Sequence, residues 1–396
     1  ASSFFIQPQI YSVAPSRGTI GIQIIIRGTG YEAMDSLNVA FGTTPIIISG
    51  TGMANGSFVI VFTADTQVYG TTNINVSGRT TLSNNSFFVI SDIYSMTPTR
   101  GTVGSVVEIK GCGYGLVDPI TIAFGKNTNI QQSTANSDGR FSTSFVVDTQ
   151  AYGTTTVKAQ GISSAERVFV IIQEISSVIP SMGSVGTLVE LKGTGYAAND
   201  PIVIAFGTEN NIQSTNADTN GFFTCVFTVN TQAYGTRTIK AIGSSGIAIS
   251  RFVITPQVYL VTPDRGTVGT VVTIKGTGYA ANDSLRVDFG NMTGIKTATA
   301  TGSGSFVTTF TVNTQGYGAT LIKVSGVSAA AENSFSIQPN VYLVSPSKGT
   351  VGCEVEIRGN GYDQNDGITI GFGDKSNIGS ALADINGYFW TTFIID

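Results

Sequence analysis

The chain has 396 residues, 48 of them Gly, a formal net charge of −4 and only 12% charged residues, about half the usual share of a soluble domain. That balance offers no basic patch for nucleic acid or an anionic membrane surface. There is no His, so the commonest general base and metal ligand are missing, and no apolar run approaches the length of a membrane span.

Taken in order, the chain opens at Ala1 rather than Met, passes Phe4, Phe5 and Ile6, and reaches Pro15. Pro15 begins a phrase that returns at Pro98, Pro180, Pro263 and Pro346, at spacings of 83, 82, 83 and 83 residues. A fixed period of this size is read one unit at a time. It divides the chain into residues 1–8, the last strand of a preceding or partner repeat; repeats at 9–91, 92–173, 174–256 and 257–339; and an incomplete repeat at 340–396.

The second repeat serves as the example. A short apolar segment, Ile93 to Met96, stops at Pro98, and Gly101 and Gly104 bracket a turn. Val107 and Ile109 then alternate with Glu108 and Lys110, the period-two pattern of a half-buried strand. Gly111 and Gly113 break it, and Tyr114 follows. Ile120, Ile122 and Phe124 form a second alternating strand. A polar stretch follows, anchored by Ile130, and then the turn Asp138-Gly139, with Asn55-Gly56, Asn220-Gly221 and Asn386-Gly387 as its counterparts. Phe141, Thr143, Phe145 and Val147 make the next inward row. Thr149-Gln150-Ala151-Tyr152-Gly153 leads into a strand burying Val157 and Ala159, and the last strand carries Phe169 and Ile171. The spacing predicts six or seven short strands per repeat and no helix. The fold class is therefore all-β, a tandem array of antiparallel β-sandwiches.

At this point a resemblance becomes specific. Val258-x-x-Val261-x-Pro263-x-x-Gly266, Val272-x-Ile274-x-Gly276-x-Gly278-Tyr279 and Val287-x-Phe289-Gly290 resemble the immunoglobulin-like IPT/TIG domain. Asn220-Gly221-Phe222-Phe223 and Thr231-Gln232-x-Tyr234-Gly235 are more similar to tandem Ig-like modules of prokaryotic surface proteins. The place of Tyr152, shared by Tyr69, Tyr234 and Tyr317, resembles the tyrosine corner of Ig-like domains. The resemblance covers nearly the whole chain and implies an Ig-like fold. It does not choose a function, because the family spans receptors, transcription factors and extracellular enzymes.

Candidate chemistry is sparse. Asp35, Asp118, Asp200, Asp283 and Asp366 recur at one place; they are either turn residues bonding their own backbone or calcium ligands at the junctions. Glu108, Glu190 and Glu356 sit two residues from Lys110, Lys192 and Arg358, as solvated face charges do. Cys225 falls on the inward parity between Phe223 and Phe227 and is expected as a buried, inert thiol. Cys112 and Cys353 fall near turns, where exposure and an intermolecular disulfide are open to them. Sequons for covalent glycans occur at Asn55, Asn75, Asn84, Asn282 and Asn291. Asn75 is the leading candidate, since parity turns it outward where Lys158, Lys240 and Lys323 stand in other copies. No catalytic, cofactor or metal site is expected.

The ends carry the last expectation. Phe4 aligns with Phe87, Phe169, Phe252 and Phe335, and Asp396 aligns with Asp65 and Asp148. Either the sequence is a window onto a longer repetitive chain, or Phe4, Phe5 and Ile6 of one molecule complete the open repeat of another. Linkers of two or three residues, some with Pro, suit a stiff rod in which each repeat adds roughly 35–40 Å. The residues thus suggest a non-enzymatic extracellular or cell-surface structural protein, a head-to-tail homopolymer forming a filament or surface layer. An adhesin or glycan-binding stalk is the alternative, and an accessory region of a secreted enzyme a third reading. Contacts between neighbours are expected where copies diverge most, as in Thr43 to Ala54 against Asn127 to Ser137.

Overall fold

The computed structural model describes residues 5–327 and 329–396, and every regular element among them is a strand. Phe4, one of the three candidate donor residues, lies outside the described residues. In the first repeat the strands are β1 (Gln9–Ala14), β2 (Arg17–Gly18), β3 (Gln23–Thr29), β4 (Ser36–Phe41), β5 (Thr44–Thr51), β6 (Phe58–Thr63), β7 (Gly70–Ser77) and β8 (Leu82–Val89). The same labels serve the equivalent strands of later repeats. One sheet has the order β1-β3-β6 and the other β2-β8-β7-β4-β5, and the second, third and fourth repeats reproduce both. Each complete repeat is an Ig-like β-sandwich.

The sheets face each other because alternate residues are apolar. In the second repeat Val107, Ile109, Ile122, Phe124, Val157 and Phe169 are fully buried in one cluster, and each repeat has its own such cluster. The strand number exceeds the six or seven expected from spacing. The additional elements are β2, which has two residues, and β5, an edge strand bonded only to β4 and largely polar in the second repeat. An edge strand buries few side chains, so its alternation is weak; Ile130 is the residue that packs inward in the second repeat.

The glycine that ends the β3 pattern has a steric cause. A Cβ on Gly193 would lie 2.2 Å from the Phe223 ring and 2.9 Å from the Glu174 carbonyl, and Gly28, Gly111, Gly276 and Gly359 meet Phe58, Phe141, Phe306 and Phe389 in the same way. The next conserved feature of the repeat is Tyr31, Tyr114, Tyr196 or Tyr279, all buried. Each hydroxyl donates to a β7 carbonyl, those of Val76 (2.9 Å), Ala159 (3.3 Å), Ala241 (2.9 Å) and Val324 (3.3 Å). These tyrosines, not Tyr152 and its equivalents, bridge the two sheets. Tyr152 and Tyr317 are exposed at the end of the sandwich, so the tyrosine-corner expectation is corrected.

The recurrent Asp pins the β7–β8 turn. Asp35, Asp118, Asp200 and Asp283 are buried. Their carboxylates accept from the backbone amides of Arg79 (3.2 Å), Ile162 (2.9 Å), Ser244 (3.0 Å) and Val327 (3.1 Å). At these four positions the protein's own donors occupy carboxylate oxygens, an anchoring role in place of the calcium alternative, while Asp366 is exposed. Burial alone would raise the Asp200 carboxyl. The hydroxyls and amides of Ser244 and Ser245 outweigh it and hold the carboxyl below its usual range. A carboxyl lowered on folding adds stability above its unfolded value of about 3.9, and that stability is lost as pH falls through the folded value. Hydrogen exchange of the third repeat is therefore expected to hold steady down to about pH 4 and accelerate below it, and Asp200→Asn should flatten that response.

Candidate functional site

The feature that recurs without serving the core of one repeat is the junction between repeats. Only two residues separate β8 from the next β1: Ile90 and Ser91, Ile172 and Gln173, Thr255 and Pro256, Gln338 and Pro339. Beside each linker lies the Thr-Gln-x-Tyr-Gly segment that leads into β7. Its Gln is buried. The side-chain amide donates to the last β4 carbonyl, that of Phe41 (3.1 Å), Phe124 (2.9 Å), Phe206 (3.1 Å) or Phe289 (3.0 Å). The Gln oxygen accepts from the amide of Thr43, Lys126, Thr208 or Asn291 in the following turn. Both ends of the amide are used, so the segment is held against the sandwich end.

Held there, the segment meets the next repeat. The amide of Tyr69 donates to the carbonyl of Tyr114 at 2.9 Å, Tyr152 to Tyr196 at 2.8 Å, Tyr234 to Tyr279 at 2.8 Å and Tyr317 to Tyr362 at 3.0 Å. One main-chain bond thus repeats at all four junctions. The turn glycine seen in the sequence sits under it. Gly221 has φ +74°, and a Cβ there would lie 2.1 Å from the Tyr196 carbonyl oxygen and 3.0 Å from Ala151 Cα of the preceding repeat. Gly139, Gly304 and Gly387 face Val68, Ala233 and Gly316 in the same way. Side chains add to this at single junctions: Arg140 donates to the Thr66 hydroxyl, and Lys126 Nζ to Asn220 Oδ1 at 3.3 Å. The third junction also holds an open groove of about 550 Å³ beside Arg237. The guanidinium of Arg237 donates to the Ala233 carbonyl at 2.7 Å.

The candidates taken from sequence fall elsewhere. Phe5 and Ile6 are 84% and 72% exposed. Asn55, Asn84, Asn282 and Asn291 are exposed, but Asn75 is half-buried. It lies on β7 between Ala40 of β4 and Asn84 of β8. Outward parity on a central strand leaves neighbours on both sides, so Asn84, across from it, is the more open of the two. The cis prolines Pro15, Pro98, Pro180 and Pro263 precede β2 in the four complete repeats, and Pro346, also cis, follows the first strand of the fifth. The divergent stretch is the edge strand β5 with its flanking turns, of which the Thr43 amide donates to Gln67 of the junction segment.

The cysteines require one correction. Cys112 is buried rather than turn-exposed, and burial pushes its thiol up to about 11. Cys225 packs half-buried against the core, and burial likewise pushes it up to about 11. At pH 8 only about one in a thousand of either would be thiolate. Alkylation of the native chain at that pH should therefore spare both, with labelling in full only after denaturation.

No protein-family model matches the chain, and no curated protein sequence matches it. Solved structures do align. Invasin, a bacterial integrin-binding protein, is 13% identical with a TM-score of 0.22, over 86% of this chain and 81% of its own. A Ca2+-stabilized adhesin with which an Antarctic bacterium binds ice is 12% identical with a TM-score of 0.19, over 85% and 100%. The ICAM-5 D1–D4 ectodomain fragment is 11% identical with a TM-score of 0.21, over 84% and 99%. Likeness at this level carries nothing about ligand or activity.

Proposed function

We propose that the chain is an extracellular or cell-surface structural protein, a stiff rod of Ig-like domains that builds a filament or surface layer head to tail. One observation supports this most: the same Tyr amide to Tyr carbonyl bond at every junction. A hinge would need a linker free of such a bond, and two-residue linkers leave little slack. The reading includes no enzymatic activity, in keeping with a chain without His. It assigns the repeats to the IPT/TIG branch on their Pro-x-x-Gly and Gly-x-Gly-Tyr phrases. Its partner is a second copy of the chain, with covalent glycans at the exposed sequons as a further component and no role for nucleic acid.

Head-to-tail continuity concerns the fifth repeat. Its described strands are Asn340–Ser345, Glu354–Asn360, Gly367–Phe372, Lys375–Leu382 and Phe389–Ile394. Phe372 is 47% exposed, where Phe41, Phe124, Phe206 and Phe289 are at 0%. Further chain, or a strand from a second copy, would cover that ring and pair the free edge of Gly367–Phe372. Electron microscopy of the purified protein tests the reading. Ordered polymers are expected, and a field of dispersed, flexible monomers would contradict it.

A second reading, an adhesin or glycan-binding stalk, is favoured by one surface feature. Tyr11, Tyr94, Tyr259 and Tyr342 stand 47–56% exposed at one position of β1, and only the third repeat, with Ser176, interrupts the row. Binding of this chain alone to a glycan array would support that reading over the first.

A further inference from the structure

We infer that the groove at the third junction is a binding site for an acidic sugar, with Arg237 taking the sugar's carboxylate. The inference goes beyond the rod reading and does not rest on polymer formation. It gives the glycan-binding alternative a definite place and a definite charge.

The site arises from two sequence changes that meet at one junction. Two residues after the glycine that opens β7 stand Thr72, Thr155 and Thr320 in the first, second and fourth repeats, and Arg237 in the third. The threonine methyl groups pack over the glycine that follows β4: a Cβ on Gly42, Gly125 or Gly290 would lie 2.7–2.8 Å from them. Arg237 is too long for that niche. Its guanidinium lies instead along the junction segment, donating from Nη2 to the carbonyls of Ala233 (2.7 Å) and Tyr234 (3.4 Å) and from Nη1 to that of Thr236 (3.4 Å). Across the junction, the turn of the fourth repeat has Gly302 where the other repeats have Ala54, Ser137, Thr219 and Ile385. A Cβ on Gly302 would meet nothing within 4 Å. One change adds a long cation and the other takes away a side chain. The groove of about 550 Å³ is lined by both.

The chemistry of the walls selects the ligand. The three bonds leave the Nε–H and one Nη1–H of Arg237 without an acceptor, and no ion pair among the described residues involves it. A half-buried guanidinium with free donors and no carboxylate partner attracts an oxyanion, and charge-assisted bonds of this kind are the strong ones. Thr208, Thr231, Thr236, Thr238 and Ser303 also line the groove, and their hydroxyls can both donate and accept. No aromatic ring is among the lining residues, so a neutral sugar has nothing to stack on. A free oxyanion would fill only part of the groove, whose volume is that of a small-molecule site. A sugar unit bearing a carboxylate uses both parts, the acid on Arg237 and the ring hydroxyls on the threonines and Ser303.

Isothermal titration of the full chain with digalacturonate, maltose and sodium sulfate tests the site. Digalacturonate should bind at one site per chain, more weakly as salt rises. Maltose and sulfate should each bind at least about tenfold more weakly. Arg237→Thr installs the residue of the other repeats and removes the cation. Gly302→Ile installs the residue of the fifth repeat and fills the groove without touching Arg237. Each variant should weaken digalacturonate by at least about tenfold and leave thermal unfolding of the chain as it was. The proposal is overturned if digalacturonate does not bind, if maltose or sulfate binds as tightly, or if both variants keep the original affinity. Should a variant fail to fold, the other variant and the unmodified chain's choice among the three ligands still decide. Ordered polymers from a chain that binds no digalacturonate would reject the site and keep the rod. Binding to neutral glycans that survives Arg237→Thr, with no digalacturonate bound, would keep the adhesin reading and reject this site.

Discussion

Gly193→Ala is expected to destabilise the third repeat by about 3 kcal/mol. The added Cβ would stand 2.2 Å from Cε1 of Phe223, a ring buried to 1% exposure, and 2.9 Å from the Glu174 carbonyl. Neither can retreat. Phe223 fills the core between Tyr196 and the sheet, with ring centroids 5.3 Å apart. The Glu174 carbonyl belongs to β1, which is bonded to β3 across Glu174 and Thr194. Hydrogen exchange read by mass spectrometry would localise the loss: fast exchange confined to residues 174–254, with the first repeat unchanged. Exchange as slow as in the unmodified chain would mean that the glycine is there for some other reason.

Gly221→Ala is expected to act on two repeats at once. The residue sits at φ +74°, where a side chain is strained, and its Cβ would meet the Tyr196 carbonyl oxygen at 2.1 Å. That oxygen accepts the Tyr152 amide from the second repeat at 2.8 Å. Strain and collision together should cost the third repeat about 2–4 kcal/mol. The cross-junction bond should be lost with them, so exchange at Tyr152 should quicken while the core of the second repeat, Val107 to Phe169, stays protected. A variant that destabilises the third repeat but leaves the Tyr152 amide slow would show that the junction does not depend on this turn.

The two variants also divide what the sequence made legible from what it did not. The core was legible because alternation reports burial directly: Val107 and Ile109 against Glu108 and Lys110 fall as their parity requires. The pairs on the outer face, Lys110–Glu108 at 3.1 Å and Lys192–Glu190 at 3.2 Å, are the solvated charges expected there. Strand β5 was not legible in the second repeat, where it is an edge strand of Asn, Gln, Ser and Thr with Ile130 as its one apolar residue. Cys112 was misplaced because Gly111 and Gly113 were read as ending the strand, whereas β3 of this repeat runs through Cys112. The junction was the least legible feature. Its central bond joins two backbones, and no side-chain chemistry announces it. The one trace was recurrence without a core role, in Gln67, Gln150, Gln232 and Gln315 and in the turn glycines. Tyr69 and its equivalents drew attention for the ring, whereas the atom that matters at the junction is the amide nitrogen.

Small-angle X-ray scattering of the whole chain in solution tests most directly whether these junctions hold the repeats in line. Fixed junctions predict a single extended particle with a maximum dimension of roughly 180–200 Å, at roughly 35–40 Å per repeat, unchanged by moderate salt because the shared bond is not an ion pair. A distance distribution that collapses to much shorter values, as free hinges between domains would give, would contradict the account.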